Sequence, residues 1–216
     1  TAGHRRKQGC DGTGRHDGAG RRAADGRPRL SEFGRADILV NCAARPAGQI
    51  PKSTWETLDE SIVMPEVDTK FLGYLRCAQV LVPHMVANGW GRVVNVAGMA
   101  TLRTGDLIAT ARNVAVVALT KNLADALART GVNVNGVHPD LTRTERTPGM
   151  IERRAANAGV TPDEMEASIG AQNLIGRIVD AADVAEVIAF LASPRSVAIN
   201  GEMIAVNGGR PGPIRY

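Results

Sequence analysis

Apolar and polar positions follow two unlike patterns along the chain, and the change falls at Leu30. Residues 1–29 contain no Val, Ile, Leu, Met, Phe, Trp or Tyr. Such a stretch buries too little apolar surface to offset its ordering entropy, so disorder is expected there. Beyond it, strand-like and helix-like patterns alternate. Asp37-Ile-Leu-Val40 is a short apolar run ahead of Asn41 and predicts a buried strand. Ser53 with Glu56 three positions on forms a capping-box pattern. From Glu66 to Ala87, Phe71, Leu72, Leu75, Ala78, Leu81 and Met85 recur at helical spacing. Pro83 is expected to loosen the last turn, and Asn88-Gly89 to end it. Arg92 to Val96 predicts a second strand. Arg112 to Thr130 predicts a second long helix, with Val116, Leu119, Leu123 and Leu127 on one face and Gly131 as a left-handed cap. A third strand spans Val132 to Val137. A helix from Ala181 to Ala192 is capped by Asp180, and a last strand runs from Glu202 to Val206. Strands alternating with helices predict an α/β fold, with a mostly parallel sheet covered on both faces.

Length and composition agree with one domain in residues 30–216. The 216 residues are 44% hydrophobic but only 3% aromatic, so Ala, Val, Leu and Ile must build the core. No apolar run approaches the roughly eighteen residues of a membrane span. The first residue is Thr1 rather than Met, as expected of a fragment or a processed chain. Cys10, Cys42 and Cys77 form no metal-ligand spacing and are expected to be reduced thiols in a cytoplasmic protein, Cys42 as a small core residue.

The net charge of +4 does not mark a nucleic-acid surface on the folded part. Residues 1–29 hold eight basic and three acidic side chains, a balance of +5, and residues 30–216 eighteen and nineteen, a balance of −1. The seven arginines of the first segment stand among Gly and Asp, with no aromatic residue to stack on a base. Neither nucleic acid nor membrane is expected as a partner.

The ordered set of segments resembles the short-chain dehydrogenase/reductase family. FGRADILVNCAA (Phe33 to Ala44) is similar to its fourth strand, which usually ends Asn-Asn-Ala-Gly. GRVVNVAGMA (Gly91 to Ala100) is similar to the fifth strand. NVAVVALTKNLADAL (Asn113 to Leu127) resembles the helix that carries the Lys of the Tyr-x-x-x-Lys pair. VNVNGVHPDLTRTE (Val132 to Glu145) resembles the sixth strand and its Pro-Gly-x-x-x-Thr loop, and Gly176 to Gly209 the closing helix and strand. The match runs from about Phe33 to Gly209, so residues 30–216 correspond to the later part of such a domain. The resemblance implies a partial Rossmann-type fold that binds NAD or NADP across the C-terminal ends of its strands. On the cofactor side, Asn41, Ala43, Pro139 and Thr144 match the motifs, whereas Cys42 and Ala44 depart, and Asp140 stands where the loop has Gly. Glu145 to Asn173 corresponds to the family's substrate-covering region. A small-molecule alcohol or carbonyl substrate is implied, as is a homo-oligomer built through the helices at 66–87 and 112–130.

Two family features are altered. Thr13-Gly14-Arg15-His16-Asp17-Gly18-Ala19-Gly20 fits the Gly-rich phosphate fingerprint. It is read here as accidental, because no apolar strand precedes it and no apolar helix follows. A replaced or absent first half, as from a shifted reading frame, then leaves Asp37–Val40 as an exposed sheet edge. The usual catalytic residues are also missing. Counting from VAVVALTK puts Ala109 at the Tyr position and Asn113 at the Lys position; Lys70 falls at the Asn position, and Ala97 or Gly98 at the Ser position. Lys70, Asp106, Arg112, His138, Thr101, Thr104 and Thr110 are the candidate substitutes. Against these roles stand plain ones: Lys70 solvated or paired with Glu66, Asp106 and Arg112 an ion pair at a helix start. The alternative to an oxidoreductase is a catalytically silent scaffold of the same fold or a truncated product.

Overall fold

In the computed structural model, residues 34–45 and 54–211 are described. The Gly-rich segment, Thr13 to Gly20 within it, and Ser53 lie outside these residues. Four strands form a parallel sheet in the order β1-β2-β3-β6. They are β1 (Ile38–Asn41), β2 (Gly91–Val96), β3 (Val132–Pro139) and β6 (Met203–Val206). Two short strands, β4 (Thr142–Arg143) and β5 (Val179–Asp180), pair separately.

The first long helix begins earlier than its apolar spacing suggests. Asp59 accepts hydrogen bonds from the Ser61 and Ile62 amides and starts α1 (Glu60–Glu66). Pro65 has no N–H for the carbonyl one turn back, and a π-helical stretch follows over Val67–Leu72 before α2 (Gly73–Ala87). Pro83 is accommodated within α2, which ends as expected at Asn88 and Gly89. The next helix, α3 (Leu107–Ala126), lies about one turn earlier than the apolar pattern places it. Asp106 fixes its start by accepting from the Ala109 amide. Its end falls at Ala126 because the backbone turns left-handed at Arg129 (φ 65°) and Gly131 (φ 85°). A Cβ on Gly131 would sit 2.0 Å from the Gly89 carbonyl oxygen, so that loop crossing requires glycine twice over.

The Glu145–Asn173 region holds α4 (Thr147–Ala158) and α5 (Pro162–Gly170), which are joined by Gly159 and a Thr161–Glu164 capping box. The last helix, α6 (Ala181–Ala192), starts at Asp180 as the sequence indicates.

Helices cover both faces of the sheet. Ala78, Val82 and Met85 of α2 and Ala124 of α3 pack on Leu39, Val93, Val132 and Val134. On the other face Leu191 of α6 packs on Val94 and Val137. Apolar side chains alternate between the faces by strand period, which explains why β2 and β3 are apolar nearly throughout. β1 differs: among the described residues it pairs only with β2, and Ile38 and Val40 are 48% and 41% exposed. Among the described residues β1 is thus the edge strand of the sheet.

Candidate active site

The C-terminal ends of β1, β2 and β3 converge on the region where the sequence places its candidates. Lys70 lies in the π-helical stretch and is buried. Its Nζ donates to the Ala97 carbonyl just past β2 at 2.8 Å. It is neither solvated nor bonded to Glu66. Burial brings its pKa down from 10.5 to about 8, opposed weakly by the charge of Cys42. A π-helical turn inside an α-helix is a frequent mark of a functional position, and here it carries the buried cation.

Glu66 turns instead to the other long helix. It is wholly buried and forms an ion pair with Arg112 of α3. Its Oε1 lies 3.3 Å from the Arg45 guanidinium without hydrogen-bond alignment, and the Arg112 Nε has no partner. Arg112 is thus held by Glu66, and Asp106 is a helix cap rather than its partner.

Asn113 is buried, and its Oδ1 makes no hydrogen bond. A Cβ at Gly98 would lie 3.4 Å from the Asn113 Nδ2, so the absence of a side chain at Gly98 leaves room against that amide. Ala109 stands in the first turn of α3 with no polar side-chain atom to offer.

Two of the threonine candidates make hydrogen bonds within the fold. Thr101 donates to the Gly98 carbonyl at 3.0 Å and lies 3.4 Å from the His138 Nδ1 at the end of β3. Thr110 donates to the Ala100 carbonyl. Thr104 is exposed. The Tyr74 hydroxyl donates to the Ala43 and Val96 carbonyls, both at 3.1 Å, tying the ends of β1 and β2 together. Burial raises its pKa, so Tyr74 stays protonated. Cys42 is exposed, not a core residue, because the chain leaves the sheet right after Asn41.

Of the cofactor-side matches, Asn41 is buried and donates to the Asn95 Oδ1 at 2.8 Å. Asn95 in turn donates to Thr120 at 2.9 Å, and Thr120 to the Val116 carbonyl. Nothing in the sequence pattern singled out Asn95. Pro139 closes β3, and the Thr144 amide donates to Thr147 at the start of α4. Asp140 is neutralised by Arg103 at 2.8 Å and Arg210 at 2.7 Å. Burial pushes its pKa up, but the two guanidiniums outweigh that and hold it below the ordinary range.

Comparison with known proteins gives the family and the fold. Residues 29–210 match the family model described as enoyl-(acyl carrier protein) reductase. The short-chain reductase protein NovJ of Streptomyces niveus is 30% identical over 188 residues, 84% of this chain and 67% of that protein. A putative ketoacyl reductase of Streptomyces coelicolor is 33% identical over 185 residues, 83% of this chain and 69% of that protein. Among solved structures, YwfH, described as an NADPH dependent reductase involved in bacilysin biosynthesis, superposes with a TM-score of 0.78 at 24% identity. That match covers 91% of this chain and 75% of the other, and shows the shared fold. The family model and the two relatives together establish that the chain belongs to the short-chain dehydrogenase/reductase family.

Proposed function

We propose that this chain is a nicotinamide-dependent oxidoreductase that interconverts an alcohol and a carbonyl, with Lys70 as proton donor and acceptor. The observation that carries the reading is the Lys70 ammonium, buried at the end of β2 with a lowered pKa and, among the described residues, one hydrogen bond, to the Ala97 carbonyl. Two of its N–H groups remain for a reacting oxygen. A lysine desolvated to a pKa near working pH is suited to general acid–base catalysis.

The residues present fit the nicotinamide half of a dinucleotide. Asn113 offers a buried acceptor with no partner, beside the open backbone at Gly98. A ribose hydroxyl or carboxamide would satisfy it. Asn41, Ala43, Pro139 and Thr144 border the same strand ends. When bound, the nicotinamide supplies or accepts the hydride. In the reducing direction the Lys70 ammonium gives its proton to the carbonyl oxygen as that oxygen becomes an alkoxide. In the oxidising direction the neutral amine takes the hydroxyl proton. The Glu66–Arg112 pair braces α1 against α3 and so fixes Lys70 and Asn113 relative to each other. Exposed Val86 on α2 and Val114 on α3 support self-association through the helices at 66–87 and 112–130, which sedimentation tests directly.

The NADPH dependence in the description of YwfH makes NADPH the first probe. Fluorescence titration of NADPH is followed by turnover with a panel of aliphatic and aromatic ketones. We expect NADPH binding and a reduction rate that falls as pH rises through about 8. Oxidation rates should rise through the same pH. Lys70→Met should lower turnover by about 10²–10⁴ while NADPH still binds. A variant with full turnover and the same pH profile overturns the role of Lys70, and absence of NADPH binding overturns the reading.

A further inference from the structure

A second polar feature lies beside the strand ends. A cavity of about 240 Å³ is lined by Arg103, Asp140, Arg154, Gln172, Asn207 and Arg210, together with the apolar Leu141, Ile169 and Ile178. Three guanidiniums and one carboxylate line it, an excess of two positive charges. Arg103 and Arg210 are anchored by Asp140, whose side chain is only 16% exposed. Arg210 also donates to Gln172 at 3.3 Å. Arg154, on α4, makes no ion pair among the described residues, so its planar fork is open. Asn207 connects the cavity to the candidate active site: its Nδ2 is 3.2 Å from the Met99 Sδ, one residue beyond Gly98.

We propose that this cavity is an oxyanion subsite, which takes the carboxylate or phosphate group of a small substrate between Arg154 and the Asp140-anchored pair. Arginine forks match both groups in shape and in hydrogen-bond direction. Asp140 serves as a fixed spacer. It holds Arg103 and Arg210 in place at the cost of one positive charge, and the remaining excess still favours an anion. At roughly 30 Å³ per water, the cavity accommodates a carboxylate or phosphate with a few attached carbons. As a substrate subsite the inference rests on the oxidoreductase reading; as an anion site it stands without it.

The test is calorimetric titration of acetate and of inorganic phosphate into the full chain at low ionic strength, with chloride at matched ionic strength as control. Arg154→Gln and Arg153→Gln are compared. Both residues are exposed on α4 and carry the same charge, but only Arg154 lines the cavity. We expect Arg154→Gln to weaken the preferred anion by about tenfold, and Arg153→Gln by less than about twofold. Preference for acetate identifies a carboxylate substrate, and preference for phosphate a phosphate ester. Equal weakening by both variants, or binding no better than chloride, overturns the subsite. NADPH titration of the same samples separates the two readings. NADPH binding without anion selectivity removes the subsite and leaves the oxidoreductase. Arg154-dependent anion binding without NADPH binding removes the oxidoreductase and the subsite's role in it.

Discussion

Two clusters of buried polar side chains sit a few residues apart in this fold, and they are satisfied very differently. In the sheet, Asn41, Asn95 and Thr120 form a chain that ends on the Val116 carbonyl and joins β1, β2 and α3. At the strand ends, Glu66, Lys70 and Asn113 are equally buried, and Arg112 nearly so. There the Glu66 Oε1, the Arg112 Nε and the Asn113 Oδ1 lack hydrogen bonds. A satisfied network in a low-dielectric interior rigidifies. An under-satisfied one costs stability and is kept where a ligand or a reaction can complete it. The first cluster is read as scaffold and the second as site, and substitutions separate the two.

The largest effect is expected at Glu66→Gln. Removing the Glu66 carboxylate that faces Arg112 and Arg45 leaves a nearly buried cation without its partner among the described residues, which costs about 3–5 kcal/mol. Urea unfolding reads it directly. A loss below about 1 kcal/mol would mean that water already reaches Arg112.

Lys70→Met should move stability the other way. With a pKa of about 8 in the folded chain and 10.5 as its ordinary value, Lys70 is protonated more readily when unfolded. Below about pH 8 this works against folding by on the order of 3 kcal/mol. Stability rises as pH increases from about 8 to 10.5, and the advantage of the Met variant fades over the same window. Gain of stability together with loss of turnover identifies a functional residue held at a cost. Loss of both would make Lys70 part of the scaffold.

How far these clusters were legible follows from what periodicity records. β2, β3 and α6 lie within a residue or two of their sequence-based limits, because their apolar positions pack directly into the cores on the sheet's faces. α1 and α3 begin earlier than the sequence pattern places them, since Asp59 and Asp106 fix their starts by accepting from backbone amides, which apolar spacing does not register. The Thr161-Pro-Asp-Glu164 capping box was a readable signal for α5, but a weak apolar pattern hid it. Lys70 and Asn113 could be placed at their positions by counting along motifs. Their partners could not, because the partners come from other elements: Ala97 for Lys70, Arg112 and Arg45 for Glu66, two arginines for Asp140. Asp140 looked unfavourable for an anion as long as only its own charge was counted.

Asn95→Leu tests the satisfied cluster. It strands the Asn41 amide and removes the donor to Thr120, so a loss of about 1–3 kcal/mol is expected. The loss should be independent of pH, since neither partner titrates. NADPH affinity should change only as far as β1 loosens from β2.

The smallest change in stability, and the sharpest contrast, belongs to Asn113→Leu. If both asparagines were scaffold, the two Leu variants would behave alike. Asn113 has an acceptor that nothing in the described protein uses, so replacing it removes a desolvated group without breaking a bond there. Stability should change by no more than about 1 kcal/mol, toward the stabilising side. The acceptor is missed only when a ligand arrives to use it, and NADPH should then bind about tenfold more weakly. A pair of measurements, thermal unfolding and NADPH titration, therefore places each asparagine. Unfolding alone responds at Asn95, and titration alone responds at Asn113. The reverse pattern would exchange their roles and remove the nicotinamide end of the site from α3.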